Sequence, residues 1–394
     1  MMLGFLLARA GVDVVVLEKH ADFLRDFRGD TVHPSTLEVM HELGLLEEFL
    51  RRPHQKVLRI EGQVGGRPIV MADFSHLHAR CPFIAFMPQW DFLDFLAQHG
   101  RKFPGFRLLM RAQATALIEE AGRIVGVRGK NAEGPLEVRS QLTVAADGRD
   151  SLLREQAGLE LEDFGAPMDV LWMRLSKRAD DPPNTLGRIN AGRVFVTLDR
   201  GDYWQCAYVI PKGGYDALRL ESVETFQANI AAVAPFLRER VGELRSWDDI
   251  KLLTVQVNRL RRWHRPGFLC IGDAAHAMSP IGGVGINLAI QDAVAAANAL
   301  ALPLAKGMAA QADLAKVQRR REFPTRMTQR MQLFLQQRVI GRVLSSGATP
   351  AIAWPVRLMQ RFPVLRRIPA RLIGMGFRPE HVKTAPAGAV AGPD

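Results

Sequence analysis

Three apolar runs that each end in a carboxylate constrain this chain more than any other feature: VVVLE closing at Glu18, TVAAD closing at Asp147 and LCIGD closing at Asp273. Each run reads as a strand buried on both faces, the habit of parallel sheets. In open α/β sheets, ligands bind outside the carboxyl ends of the strands. An acid placed there accepts hydrogen bonds from sugar hydroxyls, and it repels phosphate unless a glycine turn or an arginine intervenes. One such run is an ordinary strand-end turn. Three of them point to a sheet whose ends face a ligand.

The third run carries most of the argument, because it continues as FLCIGDAAHAMSPIGGVGINLAIQDAVAAANALA. After Asp273 comes a loop with Pro280, Gly282, Gly283 and Gly285, then a helix opening at Ile286. Glycines there let backbone N–H groups approach a ligand closely, and a helix start offers partial positive charge. A reduced isoalloxazine carries negative charge along its N1–C2 carbonyl edge, so this geometry suits a flavin. His276, in the AAH turn, reads as a structural histidine that fixes the loop.

Elsewhere the chain alternates between helical and extended patterns. Residues 1–10 read as a helix stopped by Gly11, and 12–17 as the strand that ends at Glu18. Ser35 is an expected N-cap with Glu38 closing a capping box. Short strands are expected in 57–74, a helix over 90–103, and alternating strands near 107–119, 123–130 and 135–146. Residues 167–258 read as a separate α+β block, in which Trp204, Cys206 and Tyr208 share a face directed at either the core or a substrate, the core being the plainer reading. HLHARC (His76, His78, Cys81) gives no metal site, since alternate residues of a strand point apart and no fourth ligand is near.

The net charge of +11 is concentrated late. Residues 311–383 hold fifteen Lys/Arg against three acids, Asp313, Glu322 and Glu380. Its helical arginine-rich stretches read as solvated helices packed on the main body, with a membrane-surface contact as the sharper alternative. Nucleic-acid binding has no supporting motif. Three dispersed cysteines fit a reducing cytosol, and no uninterrupted apolar run is long enough to span a bilayer.

At these motifs the chain resembles the FAD-dependent aromatic hydroxylases, the group A flavoprotein monooxygenases of the para-hydroxybenzoate hydroxylase and ubiquinone-biosynthesis hydroxylase type. The similarity covers roughly residues 1–310. It implies that Glu18 of LEK, with Lys19 beside it, binds the adenosine ribose, and that Arg28 of FRGD lies over the FAD pyrophosphate. Gln89 of MPQWDFLDFL would touch the cofactor. AADGRDSLLR resembles the family's DG motif (Asp147, Gly148, Arg154), associated with FAD and NAD(P)H. IGDAAHAMSP resembles its GD motif, with Asp273 on the ribityl chain. Pro280 would sit beside the flavin ring and, with the loop from Gly282 and Gly283 to Asn287, position its reacting edge, while Gly285, Ile286 and Asn287 would meet its pyrimidine edge.

The fold so implied is α/β: a doubly wound, glutathione-reductase-like FAD-binding domain (1–166 and 259–310) interrupted by an α+β substrate domain (167–258). A basic helical C-terminal region (311–383) and a disordered tail (384–394) follow. The family's G-x-G-x-x-G and first strand would lie upstream of Met1. Losing two or three charge-assisted bonds to the pyrophosphate costs about 4–6 kcal/mol, or about 10³- to 10⁴-fold in affinity. The expectation is therefore a natural protein that continues upstream, with a chain that binds FAD poorly as the rival. The resemblance implies an NADPH- or NADH- and O₂-using monooxygenase; the cysteines place it in the cytoplasm and the basic tail, in its sharper reading, at the inner face of the membrane. It would hydroxylate an aromatic, phenolic or quinone-precursor substrate through a C4a-hydroperoxyflavin. Two alternatives share these residues: another flavoenzyme of this fold (a reductase, or a halogenase, although no W-x-W-x-I-P string is present), and a non-catalytic remnant whose basic tail binds a membrane or partner.

Overall fold

The computed structural model describes residues 1–24, 30–182, 186–190, 192–346 and 351–388. The opening helix, Met2–Arg9, buries every residue from Met2 to Ala8. It lies between the strand Val14–Leu17, the helix Gln89–Gly100 and the long helix Gly285–Ala305. Such all-round apolarity suits a helix with neighbours on several sides. Val14–Leu17 pairs in parallel with Phe106–Leu109. A second parallel pair joins Thr143–Ala145 to Phe268–Cys270, and His264–Arg265 adds an antiparallel edge.

The strand expected over 107–119 is two strands. Arg111 takes a left-handed φ of 53° after Leu109, and Gln113–Glu120 then opens a separate antiparallel sheet with Arg123–Asn131 and Gly134–Arg139. The expected cap at Ser35 is also corrected. The helix runs Pro34–Glu42 with His33 as N-cap, because Pro34 supplies a ready-made φ and no N–H at the first helical position.

The block 167–258 is built on a seven-stranded sheet, ordered Lys251–Leu253, Met168–Ser176, Tyr203–Pro211, Arg193–Asp199, Leu186–Asn190, Arg59–Val64, Arg67–Asp73. The last two strands precede 167, so this sheet does not respect the boundary expected there. Arg59–Val64 enters it by parallel pairing with Leu186–Asn190. Trp204 and Cys206 face the sheet's own core with Leu171, Phe226 and Ile230, and Tyr208 packs edge-on to Phe226. The opposite face, with Val170, Val194, Ala207 and Val209, looks toward Ile281 and the helical segment around Ile340–Leu344.

Ile281–Ala305, which contains that long helix, is long and apolar enough to cross a membrane by length and composition, but most of it is buried in the fold. The C-terminal helices pack on the main body, and the first of them buries more than a one-sided apolar stripe. Gln311–Leu335 packs along Gly285–Ala305 and buries Leu314, Val317, Arg321, Thr325, Thr328, Gln329 and Gln332. That is a helical stripe which changes from apolar to polar along its length, invisible to a hydropathy pattern. Trp354–Arg361 and Arg367–Gly374 cover the sheet edge at Arg67–Asp73. There the Gln360 side chain accepts from Val70 N (3.2 Å) and donates to Val70 O (2.9 Å), satisfying an edge that would otherwise be open. Part of the segment expected to be a disordered tail is tied down: Ala387 N donates to Arg9 O (2.8 Å), and Arg9 Nη1 to Thr384 O (2.6 Å).

Candidate flavin site

The site is assembled at the carboxyl ends of the adjacent parallel strands Thr143–Ala145 and Phe268–Cys270. The second strand is wholly buried. Gly272 then turns the chain through a left-handed φ of 58°, and a Cβ there would stand 3.1 Å from Ala289 Cβ. The turn brings Asp273 to the surface with its side chain 35% exposed. Its nearest cation is Arg149 Nη2 at 3.8 Å, itself partly exposed, a loose contact that leaves the carboxylate accessible. Arg149 belongs to the loop of Asp147 and Gly148; Asp147 is exposed and Gly148 has φ 94°. The two motif loops therefore face each other. Arg154 clamps them, donating from Nη1 to Ala274 O (3.2 Å) and from Nη2 to Arg149 O (2.8 Å).

Beyond Asp273 the loop is held from beneath. His276 is buried and donates from Nε2 to Asp292 Oδ2 (2.6 Å). Asp292 also accepts Gly272 N (3.0 Å) and Arg321 Nε (2.9 Å). Burial alone would push the Asp292 carboxyl up, but His276 and Arg321 together hold it below its ordinary range. Arg321 reaches on to Glu380 (3.3 Å), which also binds Arg320 (2.6 Å). His276 is thus a structural residue in a buried, charge-balanced network.

The turn from Pro280 to Asn287 is braced on both sides. Gln332 accepts Ser279 N (3.2 Å) and donates to Ser279 O (2.9 Å) and Ile281 O (3.0 Å). Gln336 donates to Ser279 Oγ (2.7 Å), and Gln329 to Ala277 O (3.1 Å). On the other side Thr31 Oγ1 donates to Gly283 O (2.8 Å). Gly283 has φ 62°, and a Cβ on it would lie 2.4 Å from that hydroxyl oxygen. Only glycine fits here.

Asn287 uses its side chain inward. Its Oδ1 accepts His33 N and Thr36 Oγ1 (both 2.8 Å), and its Nδ2 donates to Thr31 O (2.9 Å). It caps the Pro34–Glu42 helix from 250 residues away, so only its backbone is left for a ligand. Leu288 N makes the first helical bond, to Val284 O (2.9 Å). The amides of Gly285, Ile286 and Asn287 precede it and have no helical acceptor. Pro280, Gly282, Gly283, Gly285 and Ile286 are all half-buried, presenting this amide-lined turn to an open side.

A small cavity of about 120 Å³ lies nearby, lined by Asp30, Pro88, Trp90, Arg200, Tyr203 and Gln205 among others. Asp30 forms a buried ion pair with Arg200, next to the seven-stranded sheet, and Arg200 Nε donates to Gln205 Oε1 (2.9 Å). Burial raises the Asp30 carboxyl to about 6 against the opposing pull of Arg200. Asp30 and Thr31 thus link the glycine turn to the sheet.

Of the other expected residues, Gln89 opens the helix Gln89–Gly100 and its amide reaches Asp30 Oδ1 at 3.4 Å. Glu18 ends its strand with the carboxylate accepting His20 N (2.9 Å), and Lys19 beside it is exposed. Arg28 lies outside the described residues. The sequence reading missed Asp30, Thr31, Arg200 and the glutamines of Gln311–Leu335; the only local signal was the recurrence of Gln329, Gln332 and Gln336 at helical spacing.

Comparisons with known proteins place the chain in a family. A family model for the FAD binding domain matches residues 1–331, and the chain belongs to that family. The 6-methylpretetramide 4-monooxygenase of Streptomyces rimosus is 32% identical over 375 residues, covering 94% of this chain and 88% of that protein. The 12-dehydrotetracycline 5-monooxygenase/anhydrotetracycline 6-monooxygenase of S. rimosus subsp. rimosus is 27% identical over 303 residues; it is longer, and the chain spans 59% of it. PqsL of Pseudomonas aeruginosa, solved in complex with 2-aminobenzoylacetate, shares the fold at a TM-score of 0.74 and 22% identity, over 88% of this chain and 95% of PqsL. The expected fold class holds: an FAD-binding domain of mixed helix and sheet, with a helical C-terminus. The protein is an FAD-dependent oxidoreductase of the monooxygenase class, and its relatives favour that reading over the halogenase alternative.

Proposed function

We propose that the protein hydroxylates an aromatic, phenolic or quinone-precursor substrate, using NADH or NADPH and O₂. The observation that carries the reading is the half-buried turn Pro280–Asn287, fixed by Thr31 and Gln332 and lined with helix-opening amides. Bound FAD supplies the electron transfer and oxygen activation.

The chain's own residues bind, orient and exclude water. Asp273 would accept from ribityl hydroxyls, and the amides of Gly285, Ile286 and Asn287 would receive the negative edge of the flavin. Pro280 would flank the ring. Glu18 and Lys19 take the adenosine ribose, Arg28 and Gln89 the pyrophosphate side, and Asp147 and Gly148 the loop that Arg154 holds against Asp273. Arg200, Tyr203 and Trp90 orient the ring to be hydroxylated. Asp30, with its carboxyl near 6, holds or releases a proton at that wall.

The test is NAD(P)H oxidation by the flavin-loaded protein under ¹⁸O₂ with phenols and multi-ring phenolic ketones. A product carrying one ¹⁸O atom is expected. NAD(P)H oxidation yielding a reduced product without O₂ uptake would assign a reductase instead.

A further inference from the structure

The segment 351–374 contains five arginines and no acid. Its inner side is fixed to the fold. Gln360 pairs with Val70, Ala370 and Gly374 pack near Phe74, and His33 Nδ1 donates to Ile373 O (2.8 Å). Its outer side is unusual. Trp354, Leu358, Phe362, Val364 and Ile368 are 40–69% exposed. In Trp354–Arg361 the outward stripe is Trp354, Arg357, Leu358 and Arg361, at i, i+3, i+4 and i+7. In Arg367–Gly374 it is Arg367, Ile368 and Arg371, at i, i+1 and i+4.

Apolar side chains interleaved with arginines are the composition of a helix lying in a lipid interface, the rings and aliphatic groups entering the acyl boundary while the guanidinium groups meet headgroup phosphates. A second copy of the chain would place arginine opposite arginine, which disfavours self-association through this face. We propose that the outer face of 351–374 docks on the surface of an anionic bilayer, with Trp354, Leu358, Phe362, Val364 and Ile368 as the inserted groups. The helices are already folded against the sheet edge, so docking does not bear the ordering cost of a disordered tail. This proposal is independent of the substrate reading above.

The experiment is flotation of the full chain with phosphatidylglycerol-containing vesicles and with pure phosphatidylcholine vesicles, at low and high salt. Binding is expected only to the anionic vesicles, with release by salt. Replacing Arg357, Arg361, Arg367 and Arg371 by Gln should weaken it at least about 100-fold, on the basis of about fivefold per basic residue at a charged surface. Brominated acyl chains should quench tryptophan fluorescence in the wild type, and a Trp354→Phe variant that still floats should lose that quenching. Equal binding to both vesicle types, unchanged binding after the four arginine substitutions, or no binding by the wild type overturns the proposal. So does a dimer that Trp354→Ser dissociates, which would give the face to a second copy.

Discussion

The two halves of the C-terminal region are both arginine-rich and use their arginines in opposite ways. In Gln311–Leu335 the arginine-rich helix turns a stripe of polar side chains inward, where Arg321 is wholly buried against Asp292 and Glu380 and the glutamines hold the Ser279–Ile281 backbone. In 351–374 four of the five arginines, Arg357, Arg361, Arg367 and Arg371, face out beside exposed apolar groups, while Arg366 turns back to Met359 O (3.0 Å). The difference lies in what each helix packs on. The first meets a loop with spare backbone groups and a buried carboxylate, which only polar partners can satisfy. The second meets a sheet edge that needs one glutamine and small residues, and the rest of its side chains stay outside.

The sharpest way to break this comparison is to remove one arginine from each half. Arg321→Ala leaves Asp292 and Glu380 short of their buried partner and should cost about 3–5 kcal/mol in chemical denaturation. Arg357→Gln should stay within about 0.5 kcal/mol. Equal costs would mean that burial does not separate the two halves.

Gln332→Leu is the next largest. It strips partners from Ser279 N, Ser279 O and Ile281 O, and should cost about 2–3 kcal/mol in the same measurement. It should also shift the visible absorption of bound flavin, a readout that a purely distant packing defect would not move.

The smallest effect concerns the inner attachment of the second half, read through pH. His33, beneath Ile373, is depressed to about 4 by burial, with the Ile373 carbonyl opposing. Its unfolded form binds a proton between about 4 and 6.5, so its contribution to stability is lost as pH falls through that window. Asp30 has the opposite sign. Its folded carboxyl titrates near 6, so its contribution is present at low pH and is lost as pH rises toward 6. The two partly cancel in the wild type. Asp30→Asn should therefore steepen the stability loss between pH 7 and 5, and His33→Gln should flatten it, each by roughly 1–2 kcal/mol. Parallel stability–pH curves for the two variants would refute the assignment.

Much of the site was legible in the residues because its chemistry is local. A strand that ends in an acid, a proline, three glycines and a helix start lie within fifteen residues, and each has its own backbone reason. Asp273 emerges because Gly272 takes a left-handed turn; Gly283 is required by the approach of Thr31. The role of Asn287 was only half visible. Its backbone sits in the turn, but its side chain is committed to His33, Thr31 and Thr36, a contact across some 250 residues. The place of 59–73 in the seven-stranded sheet was hidden for the same reason, since nothing in those residues announces which sheet they will join.

The order of residues alone determined the paired motif loops, the amide-lined turn and, through them, the flavin family. The three-dimensional structure decided which arginines are interior struts, which glutamines hold the turn in place and which apolar groups remain outside. Hydrophobic period and turn chemistry are written in neighbours along the chain, whereas the partner of a buried charge is chosen by whatever distant segment the fold lays beside it.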